Sequence, residues 1–587
     1  MDWGFIFERT FSAMIGPEVM VYALAAVGLN VHFGYTGLMN FGQVGFMAAG
    51  AYGVGVSVFW LGWNFWVGVL FSFVYSAVLA LLLGIPTLRL RADYLSLVTI
   101  AASETIRLLA RSRVMQPITG GVEGVNQFAG PFYDLSPFEL GKFYSFGPFK
   151  YLGRDVWVLL VGWTLLILVT LMVRALMKSP WGRTLRAIRE DEDAARALGK
   201  NAYFYKMQSL MLGGMIGGLA GLLQVVQKAS VQADTFNPVI TFTIWTMLIV
   251  GGAGRIWSPI VGASIYWTLI VFVENTLRQL PDGTRASLER TIELSDFNIA
   301  MLRFILVGAG LLLLALTAAS AATDNTPVVT ATNVVKTFGG LRAVDVEKLE
   351  IRRNKITALI GPNGAGKTTF FNLLTGFDQV DSGEITLDGQ IITGKPPHQL
   401  AGMGMVRTFQ LTKVLSKLST IENMKLGALN QRGEKFWSAL VPGSWTKQER
   451  EVEARADAIL KRFNLTHMRD EYAGTMSGGQ RKLLEMARAL MTEPRVVMLD
   501  EPMAGVNPAL AQSLLELIKA LPAEGRTVIF VEHNMDVVQE ISDWVVVMAE
   551  GRIIAEGTPA EIKSNKAVVD AYLGAHHGAD LSQVELS

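Results

Sequence analysis

Gly361-Pro362-Asn363-Gly364-Ala365-Gly366-Lys367-Thr368-Thr369 follows an apolar run, Ile356 to Ile360, and leads into a segment that starts as a helix. Strand, glycine-rich turn and helix, in that order, make a cradle for phosphate. Gly361, Gly364 and Gly366 let the backbone turn tightly, so that successive N–H groups and the N-terminus of the next helix face the β-phosphate of a nucleotide. Pro362, Asn363, Ala365 and Thr369 complete that cradle. Lys367 supplies a point charge to the β- and γ-phosphates, and Thr368 offers a hydroxyl to the magnesium ion that phosphoryl transfer requires. The expected cofactors are ATP and Mg2+.

Further along, Met476-Ser477-Gly478-Gly479-Gln480 precedes the apolar run Val496 to Leu499, which ends in Asp500-Glu501. The run reads as a buried parallel strand. Its two carboxylates therefore emerge at the sheet edge where phosphates bind. Asp500 is assigned to the magnesium shell, and Glu501 to polarising the attacking water, because a general base must sit beside the nucleophile. An acid pair that merely caps a helix is outweighed by the phosphate loop upstream.

The order of phosphate loop, Thr408-Phe409-Gln410, Ser477-Gly478-Gly479-Gln480, Leu499-Asp500-Glu501 and a lone His533 after a strand resembles that of the ABC ATPases, over about residues 328–575. The resemblance implies that Gln410 senses water and metal and couples to a membrane domain, and that His533 contacts the γ-phosphate. It also implies that Ser477, Gly478 and Gly479 reach a nucleotide held by an opposite protomer, so a second ATPase domain is expected. Phe338, in Lys336-Thr337-Phe338-Gly339-Gly340, falls where an aromatic ring stacks on adenine; it equally suits a core position. Two departures from the family pattern are Met476, where Leu is usual, and Asn507, where many members carry Asp. The first conserves volume and apolarity; the second removes a carboxylate at the dimer seam.

The chain is 587 residues long, more than one domain, and its composition changes abruptly near residue 322. Its net charge of +1 averages two different solvents, and nothing points to nucleic acid. Upstream of the change lie apolar runs at about Met14–Phe33, Phe41–Trp60, Trp63–Gly84, Tyr94–Ala110, Val156–Met177, Tyr205–Gln227, Ile240–Gly252, Ile256–Val273 and Met301–Ala322. Most approach the roughly 20 residues that cross a hydrocarbon core. The fold expected is an α-helical transmembrane bundle of eight or nine spans followed by an α/β P-loop ATPase, since only helices or closed barrels satisfy their backbones in lipid. The division is a membrane domain over 1–322, a small, polar linker over 323–327, the ATPase over 328–575 and a tail over 576–587. Arg89 and Arg91, and the basic stretch from Arg174 through Lys178 to Lys200, place their loops and the ATPase in the cytoplasm. Met1 to Thr10 carries Asp2 and Glu8 and no basic start, so no cleavable signal peptide is expected.

Within that basic stretch Ser179 and Pro180 start a helix, and Arg183 to Leu198 continue it, with Leu185, Ile188, Ala195 and Leu198 at near-helical spacing until Gly199. A short amphipathic helix of this kind fits an ATPase groove, or else lies on anionic lipid. Ser179-Pro-Trp-Gly-Arg-Thr-Leu-Arg-Ala-Ile-Arg-Glu-Asp-Glu192, Gly28-Leu-Asn30, Gly34-Tyr-Thr-Gly-Leu38 and Thr119-Gly120-Gly121 with Gly124 resemble permeases of bacterial branched-chain amino acid importers. Arg407-Thr-Phe-Gln410 and Ala571-Tyr-Leu-Gly574 are similar to the ATPases of the same systems. The resemblance implies ATP-driven import across a bacterial inner membrane by a permease fused to its ATPase. The expected partners are the lipid bilayer, a second permease and ATPase or a second copy of this chain, and an external solute-binding protein. Related permeases take urea, short amides or aromatic acids, so the solute stays open.

Two other functions compete: half of a homodimeric exporter, which calls for six long spans, and a membrane ATPase that transmits force and moves no solute. Asn30, His32, Asn40 and Gln43 surround a glycine-interrupted stretch that reads as a broken helix, either on the solute path or set for close packing. Glu104 and Arg107 lie one turn apart in a span and read as an internal ion pair. Thr119 to Gly124 falls in an external loop that either meets a delivery protein or simply turns. There is no Cys, and no His cluster suggests a further metal site.

Overall fold

The computed structural model describes residues 3–88, 92–126, 128–146, 149–278, 327–408, 413–504, 506, 508–563 and 565–574. Gln410, Asn507, Arg89, Arg91, the run Met301–Ala322 and the tail from 576 lie outside the described residues, as does the linker up to Pro327. Two compact units emerge. One combines residues before 190 with those from 203; the other combines Glu190–Ala202 with the ATPase half.

In the membrane unit each of the eight described apolar runs is a helix. The helices of more than four residues in the first half of the sequence are α1 (Trp3–Met14), α2 (Pro17–Leu29), α3 (Gln43–Phe59), α4 (Phe65–Thr87), α5 (Ala92–Arg111), α6 (Gly153–Lys178), α7 (Pro180–Glu190), α8 (Glu192–Ala197), α9 (Ala202–Lys228), α10 (Val239–Gly251) and α11 (Ser258–Arg278), of which α8 belongs to the other unit. Helix α1 was not among the expected runs, because Glu8 and Arg9 interrupt its apolarity. With α2 and the π-helical turn Asn30–Tyr35 it continues one long apolar stretch, Ile6–Tyr35. Lipid-facing side chains such as Leu70, Leu82, Leu97 and Leu168 stay exposed, while small residues line the helix contacts. A Cβ on Gly28 of α2 would sit 2.5 Å from the Gly213 carbonyl oxygen of α9. That approach is possible only between glycines.

The stretch after α2 is broken as expected, and its polar groups are spent on holding the break. His32 Nε2 lies 3.0 Å from the Leu210 carbonyl oxygen, and Asn40 Nδ2 bonds both His32 Nδ1 and Gln43 Oε1. Gln43 Nε2 donates to the Ala25 and Gly213 carbonyls, and Asn30 bridges the Arg255 carbonyl and the Gly254 N–H. All four residues are buried. Arg107 pairs with Glu104 at 2.6 Å and also with Asp234 at 2.7 Å, a partner far away in sequence. Gly120, Gly121 and Gly124 take positive φ in a turn that brings Val125 against Val231.

The expected continuous helix over Arg183–Leu198 is instead two. Asp191 takes an extended conformation (φ −153°) and its side chain accepts from the Ala194 N–H, capping α8 and ending α7. Leu185, Ile188, Ala195 and Leu198 are nonetheless all buried, and Gly199, at φ +80°, stops the second helix.

The ATPase unit has two sheets. Strands β1 (Pro327–Phe338), β2 (Leu341–Arg352), β4 (Ser382–Leu387) and β5 (Gln390–Ile391) form an antiparallel sheet in the order β2-β1-β4-β5. Strands β3 (Ile356–Ile360), β6 (Met405–Arg407), β7 (Val496–Asp500), β8 (Thr527–Val531), β9 (Trp544–Ala549) and β10 (Arg552–Gly557) form the other, β6-β7-β8-β3-β9-β10, parallel except for β10. Strands β3, β7 and β8 are buried along their whole length. Covered on both faces, they are largely apolar, and their carboxyl ends share one edge.

Candidate functional site: a nucleotide cavity at the sheet edge

Three of those carboxyl ends carry the site. After β3 the chain turns through the glycine loop into α12 (Lys367–Leu374). Gly366 caps that helix at φ +91°, and a Cβ there would lie 2.3 Å from the Ala343 carbonyl oxygen. Strand β7 ends in Asp500 and is followed by Glu501, and after β8 come Glu532 and His533. Around a cavity of about 800 Å3 the fold gathers Phe338, Asn363, Gly364, Ala365, Gly366, Lys367, Thr368, Thr369, Glu501 and His533. Its volume lies in the range of about 300–1,000 Å3 usual for ligand sites. Lys367 Nζ donates to the Gly361 and Pro362 carbonyls at 2.7 and 2.9 Å, held over the loop. Burial lowers its pKa, and the Glu501 charge opposes that shift. Phe338 is half exposed at the cavity wall, with Lys336 Nζ 5.4 Å from its ring centre.

Asp500 and Glu501 are neighbours with opposite surroundings. Glu501 has φ +46°, a left-handed conformation rare outside glycine. The kink aims its carboxylate into the cavity, where Oε1 lies 2.7 Å from His533 Nε2. Asp500 stays buried and accepts from Arg407 Nη2 at 2.7 Å. Ser477, Gly478, Gly479 and Gln480 do not line this cavity. They start α13 (Gly478–Leu490), where Ser477 and Gln480 form a reciprocal capping box, with Ser477 and Gly478 exposed and Gly479 buried.

Arg407 is the site residue that motif reading passed over. Besides Asp500, its guanidinium donates to Asn372 Oδ1 (2.5 Å), Thr375 Oγ1 (3.3 Å) and the Thr408 carbonyl (3.2 Å), and it lies between the rings of Phe371 and Phe377. Burial lowers its pKa against the pull of Asp500. The available signal was an arginine closing an apolar strand, Met405-Val406-Arg407, three positions before Gln410.

The same unit also contains Glu190–Ala202. Glu190 Oε1 accepts from Ser416 Oγ and the Lys417 N–H, each at 2.7 Å. Lys200 Nζ donates to the Ala428 carbonyl at 2.8 Å and pairs with Glu434 at 2.6 Å, almost fully buried. Lys413 lies 3.5 Å from Asp191 and 3.6 Å from Asp193. A segment that the membrane half of the sequence supplies is thus anchored inside the ATPase unit.

Phosphate loop, acidic strand end, signature and a helical membrane unit define an ATP-binding cassette ATPase joined to a membrane domain. Residues 344–504 match the family "ABC transporter" and residues 552–578 the family "Branched-chain amino acid ATP-binding cassette transporter". Residues 15–316, just over half of the chain, match "Branched-chain amino acid transport system / permease component", and the chain belongs to that family. A probable branched-chain amino acid transport ATP-binding protein LivG of Archaeoglobus fulgidus is 42% identical over 41% of this chain and 94% of its own length. The high-affinity branched-chain amino acid transport ATP-binding protein BraF of Pseudomonas aeruginosa is 41% identical over 42% and 98%. LivG of Escherichia coli K12 is 39% identical over 42% and 98%. The chain is an ABC ATPase, binds ATP, and fuses a permease to its cassette.

Proposed function

We propose that this chain drives import of branched-chain or related small hydrophobic amino acids across a bacterial inner membrane, with its ATPase unit in the cytoplasm. The observation that carries the reading is the fusion: a permease of this family and a cassette share one chain, and the permease half contributes Glu190–Ala202 to the ATPase unit. Its anchors at Glu190 and Lys200 tie that segment to the cassette. The exporter reading lacks support from the family match, and a force transmitter leaves the permease without a use.

ATP enters the cavity with its phosphates on the loop N–H groups and Lys367 and its base against Phe338. The Thr368 hydroxyl at the cavity wall, the Asp500 carboxylate that Arg407 holds by Oδ2, and Gln410 would together hold a magnesium ion. That ion supplies charge neutralisation to the phosphates. Glu501 polarises the attacking water, and His533 contacts the γ-phosphate. The Ser477–Gln480 signature of a second cassette, from another subunit or another copy of this chain, closes over the nucleotide. Closure moves Glu190–Ala202, and hydrolysis resets the pair. An external solute-binding protein delivers the solute.

The test is uptake of labelled leucine by cells carrying the native system, with Glu501→Gln against wild type. A drop of about a hundredfold or more in both ATP hydrolysis and uptake is expected from removing the general base. Unchanged uptake with hydrolysis abolished would sink the importer reading.

A further inference from the structure

The membrane unit encloses a second cavity, of about 370 Å3, between the start of α2, the end of α9, and the flanks of α1 and α11. Gln224 on its wall lies about 30 Å along α9 from Ala202, at 1.5 Å per residue, at the end of that helix away from the ATPase-anchored segment. We propose that this cavity is the subsite for a single branched-chain amino acid, gripped by both its ammonium and its carboxylate. The proposal rests on the importer reading.

Three features carry it. The charged groups at the cavity are of opposite sign: Glu18 and Lys228 are both exposed, each within reach of the lumen they line. The apolar wall is built from Val21, Val271 and the rings of Tyr22 and Trp267, whose centres are 5.5 Å apart. Finally, two buried polar atoms on the wall have no hydrogen-bond partner among the described residues: Gln224 Oε1, on a side chain 4% exposed that also hydrogen-bonds Tyr22, and Trp267 Nε1. In a membrane such groups are costly to leave unmet, and one acceptor and one donor are what a zwitterion can satisfy. The ammonium group donates to Glu18 and Gln224 Oε1. The carboxylate accepts from Lys228 and Trp267 Nε1. The branched tail then lies against the valines and the ring pair. Gln227 Nε2, now 3.1 Å from Glu18 Oε1, holds that carboxylate in place. A volume near the small end of the ligand-site range suits one amino acid.

The experiment is equilibrium binding of labelled leucine to the purified full chain in lipid nanodiscs, run beside cellular uptake. Wild type should bind. Glu18→Gln and Lys228→Met should each weaken binding at least tenfold, with Glu18→Asp and Lys228→Arg recovering most of it. ATP hydrolysis by the same preparations should stay within twofold, which shows that the variants are folded. Val21→Phe should reduce leucine binding more than alanine binding. Cells that take up leucine while the charge variants bind it like wild type, or while the wild-type chain binds none, would overturn the subsite and leave the importer reading standing. Absence of leucine uptake by wild-type cells would remove both.

Discussion

The Arg407–Asp500 pair of the ATPase unit and the Asn30, His32, Asn40 and Gln43 network of the membrane unit are equally buried but differently made. The first sets a full charge against a full charge, with the guanidinium held between two phenyl rings and spread over four acceptors. The second joins neutral amides and an imidazole, largely to backbone carbonyls of α2, α9 and the loop before α11. A sheet edge that receives phosphates needs a carboxylate held ready in a defined direction, and only an opposite charge with a fixed fork can hold it there. A helix break in lipid needs its backbone satisfied without bringing in a charge, and amides do that. Burial therefore says little about role until the partners are known.

The largest expected difference between the two clusters is stability on truncation. Arg407→Leu leaves Asp500 buried without its counter-charge and should cost about 3–5 kcal/mol, read as a lower thermal midpoint for the ATPase unit of the purified chain. A loss below 1 kcal/mol would show that Asp500 is solvated, and the contrast with the amide network would collapse. The membrane unit should answer more sharply to volume than to polarity. Gly28→Ala meets the Gly213 carbonyl, a backbone atom that cannot rotate away, and should cost about 1–3 kcal/mol, seen as aggregation at lower temperature in detergent. Asn40→Ala should cost less, about 1 kcal/mol, by the same assay; a loss as large as that of Arg407→Leu would place the two clusters in one class.

The smallest effect is a pH term at the ATPase surface. Hydrogen bonds from Lys425 and then Arg469 hold Glu453 below its usual pKa of 4.5. A depressed carboxyl pKa stabilises the fold above the unfolded value, and the gain is lost as pH falls through the folded one. With about a third of the Glu453 side chain exposed, screening limits it to under about 1 kcal/mol. Glu453→Gln should lower the thermal midpoint slightly at pH 7 and by less at pH 3. An equal shift at both pH values would assign the effect to packing.

How much could be read in advance differs between the units for the same reasons. Binding phosphate restricts residue type at fixed spacing, so the loop at Gly361–Thr369 and the Asp500-Glu501 pair stood out by themselves, whereas His533 stood out only by its place in the motif series. Arg407 did not, because its role depends on Asn372, Thr375 and Asp500, which chain folding alone gathers. In the membrane unit, apolar length marked eight helices correctly, while α1 was masked by two charges near its centre. Glu104 and Arg107 were legible as a pair one turn apart; Asp234 was not, being distant in sequence. The single helix expected over Arg183–Leu198 became two because Asp191 is a strong cap, a local preference that periodicity does not weigh.

Local chemistry in the chain was enough for the cassette, its nucleotide loop, the membrane helices and the family, since each depends on residue type at short spacing or on run length. Tertiary structure alone decided which acid faces the cavity, because the left-handed turn at Glu501 sends it outward while Arg407 keeps Asp500 inside. It also decided that Glu190–Ala202 belongs with the ATPase unit, since Lys200 finds Glu434 and the Ala428 carbonyl only once the fold has brought them together. Contacts between residues hundreds of positions apart leave no period and no motif, and they exist only where packing closes them.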